Sequence, residues 1–283
     1  MKSIRSIAVC GAGTMGSGIA QVAAQAGFLT IQFDQNEAAL ERSRLQITAQ
    51  LTKQAQKGKL KPEEVEQTAN RITYTTDPAK CRADLIIEAI LEDRDIKIKL
   101  FNELALINDS TTIFATNTSS ISIDALASGI SNPQMLVGMH FFNPAPAMKL
   151  VEIIQGQNTS AEVIRQVFQL AEQMGKVPVI CKDAPGFIVN RVARHYYLEA
   201  MEMVTQGLVT IEQADALMEA AGFKMGPFKL MDLIGLDINY SVSNIVWEAL
   251  GKPLRLTPSA LQKEKVGKGE LGKKTGKGFY QYG

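Results

Sequence analysis

Ile4-Arg5-Ser6-Ile7-Ala8-Val9-Cys10-Gly11-Ala12-Gly13-Thr14-Met15-Gly16 is the stretch on which the reading of the fold turns. An apolar, β-branched run ends at Cys10, and glycines then fall at Gly11, Gly13 and Gly16. Glycines cluster in many turns, so this spacing alone says little, but its surroundings say more. A small-residue, helix-like segment follows, with Gly18, Ala20, Ala23 and Ala24, until Gly27 stops it. A second apolar run, Leu29 to Phe33, ends in Asp34, eighteen residues beyond Gly16. Strand, glycine turn, helix, strand and terminal acid in that order form a dinucleotide-binding βαβ unit. Gly11 permits the tight turn, Gly13 lets the backbone approach a pyrophosphate, and Gly16 lets the helix pack closely on the sheet. Free N–H groups at the helix N-terminus attract the phosphates. A carboxylate at Asp34 would accept hydrogen bonds from the adenine ribose and repel a 2′-phosphate. Gln35 rather than an arginine follows it, so NAD is favoured over NADP.

The pattern then alternates as a doubly wound sheet should. Strand-like runs fall at Ile72 to Thr75, Leu85 to Glu88, Ile113 to Thr116, Leu136 to Phe141, Leu150 to Ile154 and Val177 to Lys182. Helical stretches lie at Glu37 to Gln56, Arg94 to Ile107 and Ala161 to Met174. At Lys182-Asp183-Ala184-Pro185-Gly186 the pattern breaks, and strands disappear. Helices are expected at Phe187 to Gln206, Ile211 to Ala221, Gly235 to Leu250 and Ser259 to Val266. The expected architecture is α/β: a Rossmann-type doubly wound, mostly parallel sheet over residues 1–184, followed by an all-helical C-terminal domain over 185–283.

The 283 residues, 46% of them hydrophobic and 21% charged, suit a soluble protein with two cores. A net charge of +1 gives no global attraction to nucleic acid or an anionic membrane, so neither is an expected partner. Cys10, Cys81 and Cys181 are scattered and odd in number, which argues against disulfides and zinc, and no metal is expected. The N-terminus has a short basic stretch and no h-region, and no apolar run reaches the ~20 residues of a spanning helix. A cytoplasmic protein is expected.

One stretch carries the chemistry. His140 ends one apolar run and Glu152 lies inside the next, and Pro144 and Pro146 keep the turn between them from being helical. Two extended segments joined by a short turn can bring imidazole and carboxylate together, which fixes the tautomer and stabilises an imidazolium. His140 is therefore the candidate general base. In open α/β sheets ligands bind beyond the carboxyl ends of strands. Those ends also carry Glu88-Ala89-Ile90-Leu91-Glu92 and Asn117-Thr118-Ser119-Ser120, although Ser119 or Ser120 could simply cap the next helix. Lys53, Lys57, Lys59 and Lys61 read either as a solvated helix end or as an arm for a phosphate-bearing substrate. His195, among Tyr196 and Tyr197, reads as a packing residue. Gly267 to Lys274 imitates a P-loop but has a lysine where serine or threonine is required and follows no strand.

Seven motifs, spread over essentially the whole chain, resemble the short-chain L-3-hydroxyacyl-CoA dehydrogenases, and within them the bacterial 3-hydroxybutyryl-CoA type. They are Gly11 to Gly16, Asn117 to Ser120, Met139-His140-Phe141-Phe142-Asn143-Pro144, Lys149 to Ile154, Ala184 to Arg191, Met225-Gly226-Pro227-Phe228 and Gly272 to Tyr280. The resemblance implies an NAD-dependent oxidoreductase acting on (S)-3-hydroxyacyl-CoA, and a homodimer formed through the helical domain. It implies that His140 is the base, Glu152 its orienting partner, and Ser119 and Asn190 contacts to the substrate oxygens. The implied cofactor site adds Thr14, Met15, Gln35 and Ala89 to the glycines and Asp34. Glu92, Lys97, Asn117, Ser119, Asn143 and Lys274 complete it. Lys53 and Lys57 match the arm that meets coenzyme A, and Gln50 stands where the family has a serine. The fold fills the chain, leaving no room for a fused hydratase module. Two rivals stand beside this reading: a non-catalytic dinucleotide-binding relative, and a dehydrogenase of free β-hydroxyacids that uses a lysine as its base.

Overall fold

β1 (Ser6–Cys10) is buried along both faces, with Ile7, Ala8, Val9 and Cys10 all inaccessible, the mark of a strand at the centre of a parallel sheet. A computed structural model describes residues 4–283 of the chain; Lys2, part of the basic N-terminal stretch, lies outside the described residues. The chain divides into two compact units, Met1–Asp183 and Ala184–Gly283.

In the first unit β1 leads into α1 (Thr14–Gln25), β2 (Leu29–Phe33), α2 (Glu37–Gln56), α3 (Pro62–Asn70), β3 (Ile72–Thr75), β4 (Leu85–Glu88) and α4 (Arg94–Ala105). Then come β5 (Ile113–Thr116), α5 (Ile123–Ala127), β6 (Leu136–Phe141), β7 (Leu150–Gln155), α6 (Ala161–Gln173) and β8 (Val177–Lys182). The sheet order is β3-β2-β1-β4-β5-β6-β7-β8, parallel throughout except between β6 and β7. The first six strands have the dinucleotide-binding order, in which crossovers reverse direction beside β1 and open a crevice there. α1 owes its close fit to glycine: a Cβ on Gly16 would stand 2.0 Å from the Gly11 carbonyl oxygen. The reversal at β7 puts His140 directly opposite Glu152 in the antiparallel register.

Two helices are absent from the sequence expectation. α3 begins on Pro62, whose missing N–H costs nothing at a first helical position, and Glu64 reaches back to accept from Lys61 N at 2.6 Å. The lysine-rich lead into it masked that start. The second lies in the C-terminal unit, which consists of α7 (Val189–Thr205), α8 (Ile211–Ala220), α9 (Pro227–Ile234), α10 (Leu236–Ala249) and α11 (Ala260–Gly267). Only one helix, from Gly235, was expected between Phe223 and Leu250. Instead α9 precedes it, and Gly235, with φ of 102°, breaks the chain between α9 and α10.

The C-terminal core gathers Tyr197, Met201, Phe228, Met231, Leu236, Val246 and Leu256. Two buried acids pin the tail to it. Asp215 accepts from Phe228 N and Tyr280 Oη, and Asp232 accepts from Phe279 N, Tyr280 N and Tyr282 Oη. No helix among the described residues is long and apolar enough to cross a membrane.

Candidate active site

The carboxyl ends of β1, β4, β5 and β6 converge on one edge of the first unit, where three clusters of side chains stand. The first is the glycine turn. A cavity of about 630 Å³ is lined by Gly11, Gly13, Asp34, Gln35, Ala89 and Ile90, among others. A Cβ on Gly11 would lie 2.4 Å from the Ala89 carbonyl oxygen, so only glycine fits, whereas nothing lies within 4 Å of where one on Gly13 would point. That open space above bare backbone, at the N-terminus of α1, fits a pyrophosphate. Thr14 and Met15 form the first turn of that helix. Asp34 accepts from Ala12 N at 2.8 Å and from Asn36 N at 2.9 Å, which fixes its carboxylate at the rim of the cavity. Each oxygen keeps a lone pair for a ribose hydroxyl.

The second cluster is ionic. Lys97 on α4 donates to Glu88 Oε1 at 2.6 Å and lies 3.1 Å from Glu92 Oε2. Glu88 also accepts from Thr116 Oγ1 at 2.7 Å and from Ile90 N at 2.8 Å. Glu92 accepts from Thr118 Oγ1 at 2.5 Å and from Ser119 N and Ser120 Oγ, both at 3.1 Å. Glu88 and Lys97 are inaccessible, whereas 39% of the Glu92 side chain is exposed. Burial pushes the Glu88 carboxyl above its ordinary range, only partly offset by Lys97 and its hydrogen bonds. For Glu92 burial acts in the same direction, but Lys97, Thr118 and Ser119 outweigh it and hold the carboxyl below its ordinary range. Lys97 is thus beneath the cleft rather than in it, with its ammonium turned to two carboxylates.

The third cluster is His140 with Glu152. Nδ1 of His140 lies 2.7 Å from Glu152 Oε2, and both side chains are buried. The Phe142 ring lies 4.5 Å from the imidazole and covers one side of it. Asn117 ties this strand to its neighbour by accepting from Phe141 N at 2.9 Å. Asn143 is exposed in the turn beyond. Cys181, whose thiol is pushed up to about 12 chiefly by burial, with Glu152 and Asp183 adding to the effect, is no candidate nucleophile.

The structure brings together Ser119, Glu92, Lys97 and Asn117 at the ends of β4 and β5, and His140 with Glu152 at the next strand pair. Ser119 and Ser120 are not helix caps: Ser122 caps α5 by accepting from Ala125 N. Lys53 and Lys57 are exposed at the end of α2. Asn190 and Lys274 belong to the C-terminal unit. Asn190 is in the first turn of α7, where its carbonyl accepts from Arg194 Nε, and Lys274 donates to both oxygens of Asp237 at 2.6 Å. Arg194 is buried and its guanidinium lowered to about 10 by desolvation, satisfied by Asn239 O and Ser243 Oγ. Thr118 and Phe142 lie within motifs quoted from the sequence but were given no role there, since a threonine or phenylalanine at a strand end carries no distinguishing pattern.

A dinucleotide cradle and a buried His–Glu pair on one sheet edge define the class of nicotinamide-dependent oxidoreductases. The model of the 3-hydroxyacyl-CoA dehydrogenase NAD binding domain matches residues 6–184, and that of the 3-hydroxyacyl-CoA dehydrogenase C-terminal domain matches residues 186–282. The chain belongs to the 3-hydroxyacyl-CoA dehydrogenase family. It is 46% identical to the 3-hydroxyadipyl-CoA dehydrogenase of Escherichia coli K12 over its full length, but spans only 60% of that relative. It is 43% identical to the probable 3-hydroxybutyryl-CoA dehydrogenase of Bacillus subtilis, covering 99% of this chain and 98% of the relative. The crystal structure of (S)-3-hydroxybutyryl-CoA dehydrogenase from Ralstonia eutropha superposes with a TM-score of 0.95 at 37% identity, over 99% of this chain and 100% of that one.

Proposed function

We propose that this protein interconverts (S)-3-hydroxyacyl-CoA and 3-ketoacyl-CoA with NAD, with 3-hydroxybutyryl-CoA as the first substrate to test. The observation that carries the reading is the His140–Glu152 pair at 2.7 Å, beside a cradle whose acid, Asp34, selects against a 2′-phosphate. A nicotinamide bound in that cradle accepts or supplies the hydride.

The chain's own residues handle the proton. With Nδ1–H donated to Glu152, the ring's lone pair is on Nε2, the nitrogen that faces a substrate hydroxyl. During oxidation His140 Nε2 takes the hydroxyl proton, and Glu152 balances the imidazolium that results. In reduction the same proton goes to the carbonyl oxygen. Ser119 and Asn190 are proposed to hold that oxygen, and Lys53 and Lys57 to meet the phosphates of coenzyme A. Glu92, Lys97, Asn117, Asn143 and Lys274 are proposed to complete the cofactor site, Lys97 by way of Glu92. A homodimer through the C-terminal unit is proposed as well, supported by exposed apolar side chains such as Val192, Leu217 and Phe223. Three free cysteines support a reducing compartment such as the cytoplasm.

The test is absorbance of reduced nicotinamide with acetoacetyl-CoA, supplying NADH and NADPH in parallel. Rapid loss of NADH with little loss of NADPH is expected. The 3-keto form of the six-carbon dicarboxylic thioester named for the Escherichia coli relative is run beside it to rank the acyl groups. Binding of NADH with no turnover of either thioester would favour the non-catalytic reading.

A further inference from the structure

Lys176 is a buried lysine without an acid. It lies between α6 and β8, 8% exposed, and no carboxylate pairs with it among the described residues. Its ammonium instead donates to Ala145 O at 2.5 Å and Met148 O at 2.9 Å. Burying a charge is costly unless it is paired or fully hydrogen-bonded, so the carbonyls it captures must be held in return. Both belong to the turn that joins His140 to Glu152. That turn is folded on itself, with Ala147 N and Met148 N each donating to Pro144 O at 3.0 Å. Its other side meets α1: a Cβ placed on Gly18 would come within 3.1 Å of Ala145 Cβ and of Pro146 Cδ. The turn is therefore seated between the ammonium of Lys176 and the bare backbone of the helix whose N-terminus cradles the pyrophosphate. At its start stand Phe142, against His140, and the exposed Asn143.

We propose that Lys176 is a positioning residue for the nicotinamide end of the site. By holding residues 143–148 against Gly18 it sets where Asn143 and His140 stand relative to a bound nicotinamide. The adenine end, built on Gly11, Gly13 and Asp34, does not depend on it. This inference rests on the reading of the protein as an NAD-dependent dehydrogenase. The desolvation that lowers the Lys176 ammonium from its ordinary value agrees with a group kept for position.

The experiment compares Lys176→Met, Lys176→Arg and Gly18→Ala in the full chain. The first releases the turn from one side and the last pushes it from the other. Turnover of acetoacetyl-CoA with NADH is measured beside calorimetric affinity for ADP-ribose, which makes every cradle contact but lacks nicotinamide. Because a displacement of about 1 Å at a reacting centre costs up to roughly a hundredfold, kcat should fall about tenfold or more in Lys176→Met and Gly18→Ala. ADP-ribose affinity should stay within about twofold of wild type, and Lys176→Arg should recover part of kcat because it keeps the donors. Equal losses in kcat and ADP-ribose affinity, or unchanged kcat in both variants, would overturn the proposal. Failure of the wild type itself to turn over acetoacetyl-CoA would strike the parent reading first, and is told apart by the wild-type control.

Discussion

Glu88 and Glu152 are both buried carboxylates near the same sheet edge, and they differ in the base beside them. Glu88 is held by Lys97, Thr116 and Ile90 N beneath the cleft, so that ionic cluster serves as a brace. Glu152 faces His140, the side chain proposed to move the substrate proton, so that pair is suited to a relay. Burial is the same device in both places. What separates the brace from the proposed proton relay is the kind of side chain beside the acid and its access to a ligand.

The sharpest break of this comparison is His140→Gln. Removing a general acid–base residue costs about 10²–10⁴-fold in turnover, so activity should nearly vanish while calorimetric NADH affinity is retained. Near-normal turnover would move the relay elsewhere. Glu152→Gln should cost less, since the imidazole remains, but its pH–rate profile should shift because the imidazolium has lost its counter-charge. Superimposable profiles for wild type and variant would dissolve the pair.

On the brace, Lys97→Met leaves Glu88 and Glu92 facing each other without a cation. Removing one partner of a buried pair costs about 3–5 kcal/mol, to be read in urea unfolding. Adding Glu88→Leu should return part of that loss. If the single variant is as stable as wild type, the cluster is not a brace.

The smallest effect is in pH dependence. The carboxyl of Glu88 is raised above its ordinary 4.5, so above that pH the folded state holds a proton that the unfolded state has released. The stability this gives is fully present below pH 4.5 and falls as pH rises toward the folded value. Glu92, lowered from 4.5, has the opposite sign: its contribution is present above 4.5 and is lost as pH falls. The melting temperature of Glu88→Gln relative to wild type should therefore climb as pH is raised from about 4 to about 7. A flat difference would mean that Glu88 is unperturbed by its burial.

Most of the sheet and the cradle could be read from the sequence because they depend on local signals. β-branched runs ending at Gly11 or Asp34 carry their own punctuation, and the His140 and Glu152 runs flank a turn that proline marks. α3 and α9 were missed because each starts on a proline after a stretch that reads as loop. The depth of Lys97 was not legible, since burial of a lysine is decided by Glu88 and Glu92 rather than by its neighbours in sequence. Lys176 had no signal at all. Its ammonium is bound by two carbonyls about thirty residues away, and backbone acceptors look alike in every sequence.

The reversal of β7 has a consequence for how such a site can be inherited or transplanted. Had β7 run parallel, its partner for His140 would have come only after a crossover helix. Instead acid and base are one hairpin apart, within residues 136–155, with their register set by a single antiparallel pairing. The pair is thus a module: exchange of that one segment between relatives carries both members and their mutual geometry together.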